Sequence, residues 1–416
     1  MKHSDHQAHR NCERDYPATS VTAKRSPLPE NVLYSISARI GGTGLDLDCH
    51  EAIRATWNEG ILARAVAYDN RQVDVPNFVI RSLRWHPVRL LSFLDSRYYY
   101  GAKKQYLDWI CARQVATGEF DLVHSWSGDC LRTFREARRR GIPTVLEIPT
   151  WHRNKGKQKP AVTQSERERS RLPMPRRWLE QLPPTRQHVM EEYDLADLIL
   201  VLSQKAAETF LAAGIEEERL FPLPRGTDIL RFTPGRKPDH FAAIFVGSLS
   251  KRKGVDLLLR TWHGLALKNA TLTLLGTVQK EIEPVLRQYA GENVRVLGHV
   301  PNTEDYLAAS SVHIFPSTCE GSAKVTYDAA ASGLAQITTR EAGDVVVDGV
   351  NGLVIPCGNP EALADAITKV YHQRDLLTTM GRAARERVEQ NFTWEHYHQR
   401  LMSAYALAFQ RRKANR

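Results

Sequence analysis

The chain has 416 residues, 42% of them apolar and 25% charged, with 57 basic against 47 acidic residues for a net charge of +10. That length exceeds what one hydrophobic core usually serves, and no run approaches the ~20 apolar residues of a spanning helix, so a disordered chain and a membrane bundle are both excluded. The positive balance suits an anionic substrate, nucleic acid or an anionic membrane surface, and charge alone does not choose among them.

Residues 1–30 (MKHSDHQAHRNCERDYPATSVTAKRSPLPE) are polar and lack the apolar stretch of a secretory signal. A disordered leader and a cytoplasmic location are expected. From Asn31 short apolar runs alternate with helical ones. NVLYSISARI reads as a strand, GGTG as a turn, LDLDCHEAIRATWNEG as a helix and ILARAVAY as the next strand, with FDLVHSW, IPTVLEIP and LADLILVLS following as strands. Such repetition is the signature of a doubly wound parallel α/β sheet. Residues 153–188 break the pattern with a basic, proline-rich excursion, expected to be a solvated loop with a short helix near Trp178. A surface for an anionic acceptor or lipid headgroup is the sharper alternative there.

Four prolines and two glycines in PLPRGTDILRFTPGRKP (222–238) mark a domain boundary. A second series then begins. AAIFVGSL, TLTLLG, VRVLG, SVHIFPS, LAQITT and GLVIP read as strands; KGVDLLLRTWHGLA, EPVLRQYA, VTYDAAASG and EALADAITKVYHQ read as helices. The expected organisation is a first domain over 31–232, a second over 233–392, and a final helix over 393–416 that crosses back to the first. Cysteines at 12, 49, 111, 130, 319 and 357 form no C-x-x-C pair, so reduced thiols are expected. Cys49–His50 finds no second pair to complete a metal site.

Some signals are weak. GGTG invites a dinucleotide reading, but the third glycine of that fingerprint falls on Leu47 and Asp69 sits poorly for the ribose. Gly42 and Gly44 still allow a close backbone approach to a ligand or another domain, or simply a tight turn. His124 lies at an expected strand end, where ligands gather in open α/β sheets, although a lone histidine is more often structural. The run RTFREARRR (132–140) and the basic excursion argue for nucleic acid, but aromatic residues are not interleaved with them as stacking platforms. A helix carrying Arg132, Arg135, Arg138 and Arg139 reads instead as a solvated or membrane-facing surface.

Three features of the second half converge. GSLSKRKG (247–254) brings Lys251, Arg252 and Lys253 to the expected start of a helix, where the macrodipole disfavours cations unless an anion is bound. FPSTCEGSAKVTYD places Glu320, Gly321 and Ser322 between a strand and a helix, where free amides suit phosphate. Glu320 and Asp328 are eight residues apart, and carboxylates there can accept hydrogen bonds from vicinal hydroxyls. Together these describe a site for a molecule with a diphosphate and polyhydroxy groups at each end.

With these residues in view, the chain resembles the retaining glycosyltransferases of family four over roughly residues 31–410. EGSAKVTYDAAASG matches the family's E-G segment with its second acid eight positions on; GSLSKRKG matches its strand-loop. LADLILVLSQ, RGTDILRFTP, DGVNGLVIP and the late FTW also fit, while GGTG and DLVH sit where the family keeps a glycine loop and a strand-end histidine. The resemblance implies a GT-B architecture of two Rossmann-like doubly wound domains facing a cleft. It implies transfer of a sugar from a nucleotide-diphosphate donor to an acceptor hydroxyl with retained configuration, without metal, in cell-surface glycan or glycolipid synthesis. The catalytic residues it implies are Glu320, Lys253 and His124. Gly247, Ser248, Lys253, Glu320, Gly321, Ser322, Ala323, Lys324 and Asp328 would bind the donor, with Glu320 on the sugar and Asp328 on the ribose. Gly41, Gly42, Thr43 and Gly44 would form the acceptor-side loop.

No cofactor beyond the nucleotide sugar is implied, with UDP-, GDP- and ADP-sugars all open. A glycan, lipid-linked or small-molecule acceptor is expected, with a peripheral contact at an anionic inner membrane face and no nucleic acid. The chain departs from the family pattern at Asp328 (usually Glu), at Ser248 (usually Arg) and at Trp126, where many members have a second histidine. Lys251, Arg252 or Lys324 would have to stand in for the missing arginine, and His124 or His152 for the missing histidine, unless the acceptor side is remodelled. An epimerase of the same fold and a non-catalytic binding protein are the alternatives.

Overall fold

The computed structural model describes residues 27–153 and 179–414. The leader up to residue 26 and most of the basic excursion, including Trp178, lie outside the described residues.

Two all-parallel sheets make up the frame. The first holds β1 (Val32–Ser35), β2 (Leu62–Ala67), β3 (Ile80–Ser82), β4 (Leu122–Trp126), β5 (Thr144–Ile148), β6 (Leu198–Val201) and β7 (Leu220–Pro222), in the order β3-β2-β1-β4-β5-β6-β7. The second holds β8 (Phe241–Val246), β9 (Ala270–Leu275), β10 (Val294–Gly298), β11 (Val312–Phe315), β12 (Ala335–Thr339) and β13 (Gly352–Ile355), in the order β10-β9-β8-β11-β12-β13. The order reverses at β1 in one sheet and at β8 in the other, so each sheet is doubly wound. Strands β4, β5, β6 and β11 are buried at every residue, as strands covered on both faces should be.

Local chemistry fixes the helices. Ser203 caps the Gln204–Leu211 helix by accepting from the Ala206 amide at 3.1 Å, and Asn359 caps Pro360–His372 from the Ala362 amide at 2.8 Å with proline at the first turn. The reading from sequence left the Ser96–Val115 and Arg374–Asn391 helices and the short strands β3 and β7 unassigned. In the first helix, buried Ala102, Leu107, Ile110, Cys111 and Val115 are diluted by tyrosines, lysines and Trp109, which blurs the 3.6-residue pattern.

The Trp394–Ala414 helix packs on the Leu45–Asn58 helix and puts Tyr397, Leu401, Tyr405 and Ala408 into the same core as Ala52, Ile53 and Val145. The two units meet at the C-terminal ends of their strands. Ser203 Oγ donates to the Gly321 carbonyl at 2.6 Å, the Gln204 amide to Asp344 Oδ2 at 2.6 Å, and Arg340 pairs with Glu208 at 2.5 Å. A Cβ at Gly321 would lie 2.2 Å from the Pro149 carbonyl oxygen, so only glycine lets the two backbones touch there. Among the described residues no helix is long and apolar enough to cross a membrane.

Candidate functional site at the cleft

Two loops at the C-terminal end of the second sheet interlock. The loop after β8 leaves through Gly247 (φ +144) and forms a tight 3-10 turn over Lys251–Lys253, closed by Gly254 at φ +74. A Cβ at Gly254 would fall 2.1 Å from the Pro316 carbonyl oxygen, so glycine seats this turn directly on the end of β11. The Arg252 carbonyl accepts from the Thr318 amide at 2.9 Å, from Thr318 Oγ1 at 3.0 Å and from Ser317 Oγ at 3.2 Å. The Val255–Leu265 helix starts only after Gly254, so the three cations precede the helix instead of opening it. The Arg252 carbonyl is spent on holding the Ser317–Glu320 loop.

That arrangement brings the expected residues together. Glu320 Oε1 lies 2.7 Å from Lys253 Nζ and 2.6 Å from Arg252 Nη1, and accepts from Ser317 Oγ at 2.9 Å. Lys253 is mostly buried over the Phe315 ring, and its pKa is lowered, chiefly by burial, with Glu320 opposing the shift. Asp328 sits one turn into the Lys324–Ala331 helix and is held by Lys324 and, at 2.5 Å, by Thr227 Oγ1 from the linker. Ser322 Oγ hydrogen-bonds Tyr327 OH at 2.7 Å and faces the Gly343 backbone. Of the amides expected to receive phosphate, that of Glu320 donates to the Glu341 carbonyl at 3.0 Å and that of Ala323 to the Ala342 carbonyl at 2.8 Å. These two are committed to the neighbouring turn.

Ser248, in the expected diphosphate loop, follows Gly247 next to Gly276, whose own Cβ would lie 1.9 Å from the Gly247 carbonyl oxygen. Gly41, Gly42 and Gly44 all have positive φ, and residues 42–44 are exposed at the start of the Leu45–Asn58 helix. A Cβ at Gly41 would meet the Gln72 amide at 2.9 Å, while Gly44 has open space around it.

His124 is not brought to the cleft. Its ring is fully buried in β4, with Nε2 at 3.2 Å from Glu147 Oε2 and Nδ1 at 2.8 Å from Tyr405 OH, and Tyr34 edge-on at 4.8 Å. Trp126 is buried too, donating to Tyr34 OH at 2.7 Å. The expectation that His124 serves chemistry fails geometrically, because a side chain in mid-strand points into a helix-covered layer. His152 is also fully buried, packed on Tyr193 and Phe210.

Sequence reasoning missed two residues here. Arg225, 8% exposed, ion-pairs with Asp48 from the Leu45–Asn58 helix, and its charge is among those that lower Lys253. Burial pushes Asp48 up to about 6 against the pull of Arg225, and Lys324 also acts on it. Asp48 Oδ1 and Arg225 Nε are buried without a hydrogen-bond partner. The signal for Asp48 was its place on the apolar face with Cys49, Ala52 and Ile53; Arg225 was hidden in a segment that composition marks only as a linker. Arg225 thus adds a guanidinium whose charge reaches Lys253, while Ser248 in the Lys253 loop offers none. Among the described residues no group of His, Cys, Asp or Glu is arranged to hold a metal.

Residues 240–373 match the family model described as glycosyl transferases group 1. The matched residues run from β8 to the Pro360–His372 helix of the second unit. The capsular polysaccharide biosynthesis glycosyltransferase CapM of Staphylococcus aureus is 29% identical over 175 residues, covering 40% of this chain and 46% of that protein. The chain therefore spans about half the length of the curated relatives it matches. Several solved structures match nearly end to end. Sucrose-phosphate synthase from Thermosynechococcus elongatus has a TM-score of 0.68 at 18% identity, covering 93% of this chain and 100% of its own. HepE of Anabaena, solved in complex with UDP-glucose, has a TM-score of 0.62 at 17% identity, covering 90% and 98%. At such identity these likenesses speak for the fold, and that fold is GT-B.

Proposed function

We propose that this chain is a retaining glycosyltransferase that moves a sugar from a nucleoside-diphosphate donor to an acceptor hydroxyl. Its setting would be cell-surface glycan or glycolipid synthesis on the cytoplasmic side of the membrane. The observation that carries this reading is the Glu320 carboxylate, gripped by Lys253 and Arg252 beside the Gly321 contact with the first unit. HepE, which shares the fold, was solved with UDP-glucose, and CapM is named for capsular polysaccharide synthesis; both support the class of donor and product.

The chemistry follows from charge. Breaking the bond between the anomeric carbon and the diphosphate oxygen builds negative charge on the leaving group. Lys253 and Arg252 would turn from Glu320 to that charge, with Arg225 close behind, and preset cations in a closed cleft stabilise the transition state more than the ground state. Glu320, released from its cations, would accept hydrogen bonds from the sugar hydroxyls. Asp328 would serve the ribose, and the acceptor would enter past Gly41–Gly44. Closure of the two units keeps out the water that would hydrolyse the donor.

A thermal-shift and turnover screen with UDP-, GDP- and ADP-sugars tests this reading. One donor class should stabilise the protein, and Glu320→Gln should cut transfer by about 100-fold while the fold is kept. Nuclear magnetic resonance of the product should show the donor's anomeric configuration. Donor turnover to a sugar epimer without an acceptor would replace the proposal with an epimerase; no donor response at all would overturn it.

A further inference from the structure

The exposed aromatic residues are not scattered. Among the described residues the large aromatics left exposed are Phe78, Trp85, Phe93, Tyr100 and Trp109, all within one stretch of the first unit. Its centre is RWHPVRLLSFL (84–94), which leaves β3 at the C-terminal end, the end that faces the cleft. Trp85 is 83% exposed, and Leu90 and Phe93 are each 79% exposed, while Leu83 and His86 anchor the segment inward. His86 packs edge-on to Tyr68 at 4.8 Å and beside Tyr99 at 6.5 Å, so the segment lies along the start of the Ser96–Val115 helix.

Charge completes the picture. Arg84, Arg89 and Lys103 surround these rings: Arg89 lies 4.9 Å over Trp85, and Lys103 lies 4.0 Å over Tyr68 and 5.5 Å over Tyr100. Residues 84–94 contain no acid. The nearest ones are occupied, Asp95 with the Arg97 amide at 2.9 Å and Glu180 with Arg97 and Tyr98 at 2.9 and 2.6 Å. The arginine-rich helix that sequence suggested for a membrane ties up part of its charge in ion pairs, since Arg135 grips Glu191, and both Arg139 and Arg140 grip Glu136. Apolar and aromatic side chains among Arg84, Arg89 and Arg97, with Asp95 the one acid of residues 84–100, fit the interface of an anionic bilayer, where indole and phenyl rings enter the headgroup layer and arginines meet phosphates. A protein partner would need its own acidic and apolar complement, whereas a lipid surface supplies both everywhere.

We propose that the surface formed by residues 84–100 docks the first unit onto an anionic lipid bilayer, setting the mouth of the cleft against the membrane. The proposal rests on the glycosyltransferase reading only in assigning the bilayer a purpose, the supply of a lipid-linked acceptor to the first unit.

Flotation of the full chain with phosphatidylcholine vesicles, with and without phosphatidylglycerol, tests it. The chain should float only with the anionic vesicles. Combining Trp85→Ser, Leu90→Ser and Phe93→Ser should weaken that binding at least about tenfold, as should Arg84→Glu with Arg89→Glu. All these side chains are exposed, so melting temperature and the nucleotide-induced thermal shift should not change. Binding that survives the triple variant would overturn the proposal. So would a chain that ignores vesicles but forms a dimer which the triple variant dissolves, because the surface would then belong to a second copy. Failure of the donor reading has a separate signature, a missing nucleotide shift with vesicle binding intact.

Discussion

The two sheets each bury a histidine at the matching place. His124 lies on β4 opposite Tyr34 of β1, and His313 lies on β11 opposite Ile244 of β8, so each sits on the strand beside the point where strand order reverses. Both are fully buried. Their partners differ in charge: His124 meets the Glu147 carboxylate, while His313 Nδ1 meets the neutral Gln336 amide at 3.0 Å. Beside them, in the loops just past the strand ends, Lys253 and Glu320 reach the cleft. In a doubly wound unit the functional position is past the strand, and a polar side chain within it is a packing problem solved by a cross-strand partner.

The largest effect expected from breaking this comparison is at His124. His124→Ala opens a cavity beside Glu147 and strips Tyr405 OH of a partner, and urea unfolding should show a loss of about 3–5 kcal/mol. Loss of turnover at unchanged stability would instead return His124 to the chemistry. His313 sharpens the contrast through pH. Burial lowers its pKa from 6.5 to about 4. The unfolded chain therefore takes up the proton first, and the stability this group contributes is present above pH 6.5 and is lost as pH falls towards 4. The stability gap between wild type and His313→Gln should shrink by about 3 kcal/mol across that window. Lys253→Ala should weaken nucleotide-sugar binding about tenfold, or 1.4 kcal/mol, by calorimetry. Asp328→Asn should weaken nucleoside-diphosphate binding only about threefold, because Thr227 and Lys324 continue to shape that corner; a fall confined to turnover would move Asp328 from the ribose to the sugar.

Much of the frame was readable. Every strand expected in the second half is present within one to three residues at its ends, because unbroken apolar runs between glycines and prolines have few other solutions in water. Elements were lost where period was masked, as in Ser96–Val115, or where a strand had only three residues, as in β3 and β7. At the site, Glu320 and Lys253 were each singled out from loop chemistry, and they come together because the loops that carry them are short and follow adjacent strands. Asp48 and Arg225 were not: they stand 177 residues apart, and only the folding of the linker onto the first helix brings them together. His124 misled because sequence shows that a residue lies near a strand end but not which layer it faces.

The Trp394–Ala414 helix has a consequence for how the molecule is made. Strands β1 to β7 are complete at residue 222, yet the layer that covers Cys49, Ala52 and Ile53 comes from residues 394–414. At ribosomal speeds of about 5–20 residues per second, the first sheet waits roughly 10–40 s with part of one apolar layer uncovered. The second unit, contiguous in sequence, closes its own core meanwhile. The half translated first is thus the half finished last, and a nascent chain stalled before residue 394 should hold a folded second sheet beside a first one that still needs a chaperone.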